Sequence, residues 1–156
     1  MSTVHLIRHA KAKNRFEWTE PDELRPLTKR GRREAAAIAE RLRDEPLARL
    51  VSSPFTRCLQ TLEPLAQTLD LAIETSELLV EGADGTRALE LLLSLDHGRP
   101  LACCTHGDVL YDIVRAVTAA GVHLDGPLEV PVASTWVLDV VDERVVGGTF
   151  VGQPPR

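Results

Sequence analysis

Val4-His5-Leu6-Ile7-Arg8-His9-Ala10-Lys11 begins as a short apolar, β-prone run and ends abruptly in polar residues. That is the pattern of a buried strand opening into a loop at its carboxyl end. The pattern recurs twice. Leu50-Val51-Ser52-Ser53 runs into Pro54-Phe55-Thr56-Arg57, and Leu101-Ala102-Cys103-Cys104-Thr105, introduced by Pro100, runs into His106-Gly107-Asp108. Between and after these strands the apolar residues switch to helical spacing. Ala35, Ile38, Ala39 and Leu42 follow Thr28 and stop before Pro46; Leu59, Leu62, Ala66 and Leu69 follow Arg57; Leu110, Ile113, Val114 and Val117 follow Asp108. Pro64 is expected to kink or restart the second of these helices.

The remaining signals are shorter. Residues 72–75 suggest a weaker strand, and an exposed, polar connector over 82–85 separates it from a helix carrying Leu89, Leu92 and Leu93. Residues 136–141 and 145–150 read as two strands around an Asp-Glu turn, a candidate hairpin, followed by a loose Gln153-Pro154-Pro155-Arg156 end. Strands that alternate with helices and are almost continuously apolar predict an α/β fold with a mostly parallel sheet covered on both faces. No internal repeat interrupts the pattern, and 156 residues suit one domain over 1–156.

Composition narrows the function. With 44% hydrophobic and 26% charged residues the chain is ordinary globular material, and 4% aromatic residues leave little for stacking on bases, so no nucleic-acid partner is expected. Eighteen basic against 23 acidic residues give a net charge of -5, so a site for an anion has to be a concentrated cationic pocket. Cys58, Cys103 and Cys104 follow no metal-ligand spacing and suit a reducing cytoplasm, with Cys103 and Cys104 packed in their strand. No apolar run reaches the roughly 18–20 residues that span a bilayer, so no membrane partner is expected and the chain reads as soluble and cytoplasmic. Nothing in the sequence bears on the oligomeric state.

In parallel sheets of this kind ligands bind beyond the carboxyl ends of the strands. Three such ends bring Arg8-His9, Ser52 to Arg57 and Thr105 to Asp108 into one region. Two arginines can neutralise phosphoryl oxygens through paired hydrogen bonds, and a neutral imidazole can attack phosphorus. Either histidine alone would more often be a satisfied structural residue; the joint placement favours chemistry. Arg57 at the start of a helix opposes the helix dipole unless an anion binds there. The run Lys29-Arg30-Gly31-Arg32-Arg33 reads as a solvated helix start, and His5, His97 and His123 have no partner identifiable from sequence.

Arg8-His9-Ala10, Leu27-Thr28-Lys29-Arg30-Gly31, Ser53-Pro54-Phe55-Thr56-Arg57 with Gln60-Thr61, and His106-Gly107-Asp108 together resemble the histidine phosphatase superfamily, in its order and across about the first 120 residues. The resemblance implies a phosphoglycerate mutase-like fold, a mixed, mostly parallel sheet between helices. It implies further that His9 is phosphorylated and that Arg8, Arg57 and His106 bind the phosphoryl oxygens; fixed positive charge there and the missing metal-ligand clusters predict that neither metal nor cofactor is used. The short length and Arg25-Pro26-Leu27-Thr28 are similar to the small SixA-like phosphohistidine phosphatases. The run from Leu59 to Ala66, with Val80-Glu81-Gly82, is also similar to phosphatase domains fused to Nudix hydrolases, which act on nucleotides. The family's proton donor is commonly a Glu before a Gly-containing loop. Glu81 is the nearest match and Glu77 the second; the alternative for Glu81 is a surface carboxylate.

The expected activity is therefore phosphate hydrolysis on a phosphorylated protein, above all protein phosphohistidine, or on a nucleotide or other small phosphorylated metabolite. Competing chemistries lack their residues. A thiol phosphatase needs an arginine six residues after its cysteine, where Val109 and Leu110 stand, and neither a G-x-x-x-x-G-K-[ST] loop nor a G-x-S-x-G elbow occurs. A mutase would have to retain its intermediate in a small open pocket, which favours hydrolysis. A noncatalytic phosphate-binding module would not need both histidines.

Overall fold

The computed structural model describes residues 1–155. One six-stranded sheet runs through it, in the order β3-β2-β4-β1-β5-β6. The strands are β1 (Ser2–Arg8), β2 (Arg49–Ser52), β3 (Ile73–Thr75), β4 (Leu101–Thr105), β5 (Thr135–Val141) and β6 (Arg144–Val151). The neighbours β3, β2, β4 and β1 are parallel, whereas β5 pairs antiparallel with both β1 and β6. The last two strands form the expected hairpin, closed by Asp142 and Glu143 with φ of 49° and 60°. Two left-handed residues in succession match the right-handed twist of the strands they join.

Four helices cover the sheet: α1 (Lys29–Leu42), α2 (Thr56–Leu69), α3 (Gly85–Leu95) and α4 (Gly107–Ala119). Alternation along the strands feeds both faces. Ile7, Leu50, Ala102 and Cys104 pack with Ala35, Ile38, Leu42, Cys58, Leu62 and Leu65 of α1 and α2. Leu6, Val51, Leu101 and Cys103 pack on the other side with Leu92, Val109, Leu110, Ile113 and Val114 of α3 and α4. The adjacent Cys103 and Cys104 thus enter opposite layers, both fully buried.

Two expectations need correction. Helix α2 continues without interruption through Pro64 to Leu69. A proline in a helix interior costs about 3 kcal/mol; burial of Leu62 and Leu65, fully enclosed on either side of it, contributes about 1.5–3 kcal/mol each and holds both turns against the sheet. The connector over 82–85 is also not wholly exposed, because Gly85 is buried and begins α3. A Cβ there would lie 2.4 Å from that of Asp112, so only glycine lets α3 approach α4 so closely. The face of α3 turned inward carries Ala88 and Leu92, with Leu89 and Leu93 half-buried.

Residues 152–155 have no regular structure and lie along α1, where Gln153, Pro154 and Pro155 share a groove with Ala37, Ile38 and Arg41. Arg156, the last residue of the expected loose end, lies outside the described residues. Among the described residues no helix is long and apolar enough to cross a membrane.

Candidate active site

Sheet register assembles the site. Arg8 pairs with Thr105 and Ser52 with Cys104, so the carboxyl ends of β1, β2 and β4 stop at one level. Backbone bonds extend the alignment by one residue: His9 N–H donates to Thr105 O at 3.1 Å, and Ser53 N–H to Cys104 O at 3.0 Å. The helices that start here differ from the others. Thr28 caps α1 and Asp84 caps α3 with side-chain oxygens, whereas α2 and α4 begin at Phe55 and His106 with no side-chain cap. Their first N–H groups favour an anion in front of them.

His9 is buried at 7% exposure and lines a cleft of about 890 Å³. Its Nδ1 lies 2.8 Å from the carbonyl oxygen of Ala10. A carbonyl can only accept, so Nδ1 carries the proton and Nε2 keeps the lone pair. Burial first, and the charges of Arg57 and Arg8 with His106 beside them, lower its pKa from 6.5 to about 3, outweighing the hydrogen bond to Ala10. The imidazole is neutral at physiological pH. Its loop is held by Thr61 of α2, whose Oγ accepts from Ala10 N–H at 3.0 Å and donates to Arg57 O at 2.7 Å.

His106 is fully buried and lies edge-on to Phe55, 4.9 Å between ring centroids. The guanidinium of Arg8 lies over the start of α4, where a Cβ on Gly107 would come within 2.9 Å of its central carbon. Glycine at this position is what admits the cation. Arg8 also donates to Val130 O at 2.8 Å. Arg57, fully buried in the first turn of α2, donates to Asp22 O at 2.9 Å and Asp22 Oδ2 at 3.0 Å, with Glu81 Oε1 3.4 Å away. Partial burial would raise the Asp22 carboxyl, but hydrogen bonds and charge from Arg25 and Arg57 outweigh it and hold the group below its usual range. Arg8 Nε, Arg57 Nε and His106 Nδ1 are buried and make no hydrogen bond among the described residues.

The rim is cationic. Lys11, Lys13, Arg15 and Arg25 line the cleft together with Arg8, against Glu81 and Asp108, so positive charge is concentrated here in a chain of net charge -5. Glu81 bonds Arg15 at 2.8 Å. Its loop is tied to the β4–α4 turn, since Asp108 Oδ2 accepts from Gly82 N–H at 2.7 Å and Thr105 Oγ donates to Leu79 O at 2.7 Å. Glu77 is exposed on a short 3-10 helix, Glu77–Leu79, and does not line the cleft. The motif around Gly31 serves the loop after β1: Thr28 N–H and Oγ both donate to Lys11 O, Glu34 accepts from Lys11 N–H, and Gly31 leaves room for the Lys11 carbonyl. Lys29, Arg32 and Arg33 are exposed, as a solvated helix start requires. Sequence reasoning missed Asp22, whose contact with Arg57 spans 35 positions; its local pairing with Arg25 at i, i+3 is the one signal that marks it.

Among the described residues no three His, Cys, Asp or Glu side chains come together as a metal site. Positive charge at the cleft comes from arginine and lysine. A family model of the histidine phosphatase superfamily, branch 1, matches residues 4–86.

The chain belongs to the histidine phosphatase superfamily.

Within that superfamily it is 34% identical over 157 aligned residues to the 8-oxo-(d)GTP phosphatase of Mycolicibacterium smegmatis, a match covering 97% of this chain and 48% of that protein. The chain therefore spans about half the length of this curated relative. The protein histidine phosphatase SixA, solved with tungstate, superposes with a TM-score of 0.75 at 23% identity, covering 97% of this chain and 95% of that one. A mycobacterial glucosyl-3-phosphoglycerate phosphatase solved with VO3 gives 0.74 at 15% identity, covering 98% and 99%. At these identities the two structures speak for the fold, a phosphoglycerate mutase-like α/β sandwich.

Proposed function

We propose that this chain is a metal-independent phosphohydrolase that works through a phosphohistidine on His9 and acts on activated phosphates such as protein phosphohistidine. One observation carries the reading: Arg8 Nε, Arg57 Nε and His106 Nδ1, three buried nitrogens with no partner among the described residues, belong to the three side chains that surround His9. Buried donors without partners cost about 1–3 kcal/mol each, and a phosphoryl group supplies oxygens for all three. In the first step the lone pair on His9 Nε2 attacks phosphorus in line, and the bond to the leaving group breaks opposite. Water then attacks phospho-His9, the P–N bond breaks, and inorganic phosphate leaves. Arg8 and Arg57 hold the developing charge throughout, in place of a metal. Glu81, bonded to Arg15 at the cleft, is the candidate proton donor for basic leaving groups.

A second reading, hydrolysis of nucleotides, draws on Lys11 and Lys13. They line the cleft together with Arg8 and supply cationic charge for further phosphates. The name of the 34% identical relative also favours it. Incubation with phosphohistidine-bearing protein, nucleoside diphosphates and sugar phosphates, with phosphate release measured and the chain assayed for acid-labile, base-stable phosphate, tests both. Trapped phosphate on His9 and turnover indifferent to chelators are expected. Tight phosphate binding without turnover would make the chain a binding module.

A further inference from the structure

We propose that Ser53 is a positioning residue that fixes the tautomer of His106, turning Nδ1 into a hydrogen-bond donor for the phosphoryl group. The inference rests on the reading of His106 as a phosphoryl ligand and gives that role its cause.

Both side chains are fully buried. Ser53 Oγ lies 2.9 Å from His106 Nε2 and also accepts the N–H of Phe55 at 3.2 Å. A serine hydroxyl has one proton and two lone pairs. With one lone pair taken by Phe55 N–H, the arrangement that satisfies both the serine hydroxyl and His106 Nε2 has Ser53 O–H donating to Nε2. In a neutral imidazole the proton then belongs on Nδ1. The opposite tautomer would have Nε2–H donating to Ser53 and would leave the serine proton without an acceptor in a buried site. On the reading of His106 as a phosphoryl ligand, it would also set the Nδ1 lone pair against the phosphoryl oxygens. A buried orphan costs about 1–3 kcal/mol, and lone pair against anion is repulsive; both effects select the same form. Cys58 Sγ, 3.6 Å from Nε2, is a weaker and longer contact on the same nitrogen. The groups that face the pair are Cys58 and Arg57 from α2, His9 from the loop after β1 and Phe55 from the start of α2. None of them accepts a proton from Nδ1.

The hydroxyl at position 53 has two partners, His106 and the Phe55 amide of a local serine turn. The strand alignment uses only its backbone, whereas the side chain touches His106 and one backbone amide.

The test is nitrogen NMR of the imidazoles in the full chain, with inorganic phosphate as probe. In the unsubstituted protein His106 should show a protonated Nδ1 and a pyridine-like Nε2. Ser53→Ala should lose that single form, weaken phosphate binding about tenfold, the loss of roughly one charge-assisted hydrogen bond, and lower kcat/KM by a similar factor. Ser53→Thr, which keeps the hydroxyl, should restore the tautomer and the affinity. Should Ser53→Ala fail to fold, the spectrum of the unsubstituted protein decides alone. A pyridine-like Nδ1 there, or both nitrogens protonated against a Cys58 thiolate, overturns the proposal; so does Ser53→Ala with unchanged tautomer and phosphate affinity. Failure of the broader reading looks different: no phosphate accumulates on His9 and no substrate turns over, whatever tautomer His106 adopts.

Discussion

His9 and His106 meet edge to face, with ring centroids 5.5 Å apart and 66° between their planes, and each is anchored through a different nitrogen. His9 is held at Nδ1 by Ala10 O and His106 at Nε2 by Ser53. The nitrogens left over are therefore unlike, Nε2 on one ring and Nδ1 on the other. On the proposed mechanism the first ring presents a lone pair and its neighbour an N–H, which divides the nucleophile from the anion donor.

His9→Ala should abolish turnover while leaving inorganic phosphate bound, because Arg8, Arg57 and His106 keep their donors. Phosphate release and binding, measured on the same preparation, give the two readouts. Residual turnover at a tenth of the original rate would remove His9 as the nucleophile.

The depressed pKa of His9 fixes a pH dependence of stability. In the unfolded chain the group takes up a proton near pH 6.5, but in the folded protein only near about 3. Between these values the unfolded state binds more protons, so stability is lost as pH falls through the window, and the loss is complete below about 3. At about 1.4 kcal/mol per pH unit the contribution is on the order of 5 kcal/mol. Denaturant unfolding at pH 7 and pH 4 should show the unsubstituted protein losing more stability than His9→Gln, which cannot titrate. Parallel losses would mean that His9 is not held neutral.

Much of this was legible before the structure, because the determining signals are local. The apolar runs ending at Arg8, Ser53 and Thr105 mark three buried strands, and the periodicity after Thr28, Arg57 and Asp108 marks the helices between them. Placing Arg8, His9, Arg57 and His106 together needs only the rule that loops at the carboxyl ends of parallel strands converge. What stayed hidden depends on contacts across long separations. Asp22 reaches Arg57, Thr61 reaches the amide of Ala10, and Gln60 Oε1 accepts from Leu27 N–H; no periodicity encodes such pairs. Pro64 does not restart α2, because local propensity is overridden by the burial of Leu62 and Leu65.

Arg57→Lys should be severely damaging although the charge is kept. The guanidinium holds Asp22 through both terminal nitrogens and still has Nε for a phosphoryl oxygen. A lysine ammonium has the charge but not the fork, so it cannot serve Asp22 at two points and the substrate at a third. Loss of one hydrogen bond to a charged group, about 1.5–3 kcal/mol, corresponds to roughly 10- to 100-fold in kcat/KM. Near-normal catalysis by the variant would place Arg57 outside the phosphoryl site.

Glu81 separates the substrate classes through the leaving group. It lines the cleft with Oε1 2.8 Å from Arg15 and 3.4 Å from Arg57, so a phosphoryl group entering against Arg57 arrives beside this carboxyl. An alkoxide leaving from a phosphomonoester is strongly basic, and a positioned proton donor is worth roughly 100- to 10,000-fold in rate. A phosphate anion leaving a nucleoside diphosphate is already stable, and the imidazole of phosphohistidine leaves once protonated from solvent; both ask less of the protein. Glu81→Gln should therefore slow phosphomonoesters far more than phosphohistidine or nucleoside diphosphates. The comparison is made on one variant with all three substrates, above and below neutral pH. Equal losses on every substrate would refute the leaving-group argument and point to a role in orienting Arg15 and Arg57. No loss on any substrate would return Glu81 to the status of a rim carboxylate that pairs with Arg15 and takes no part in proton transfer.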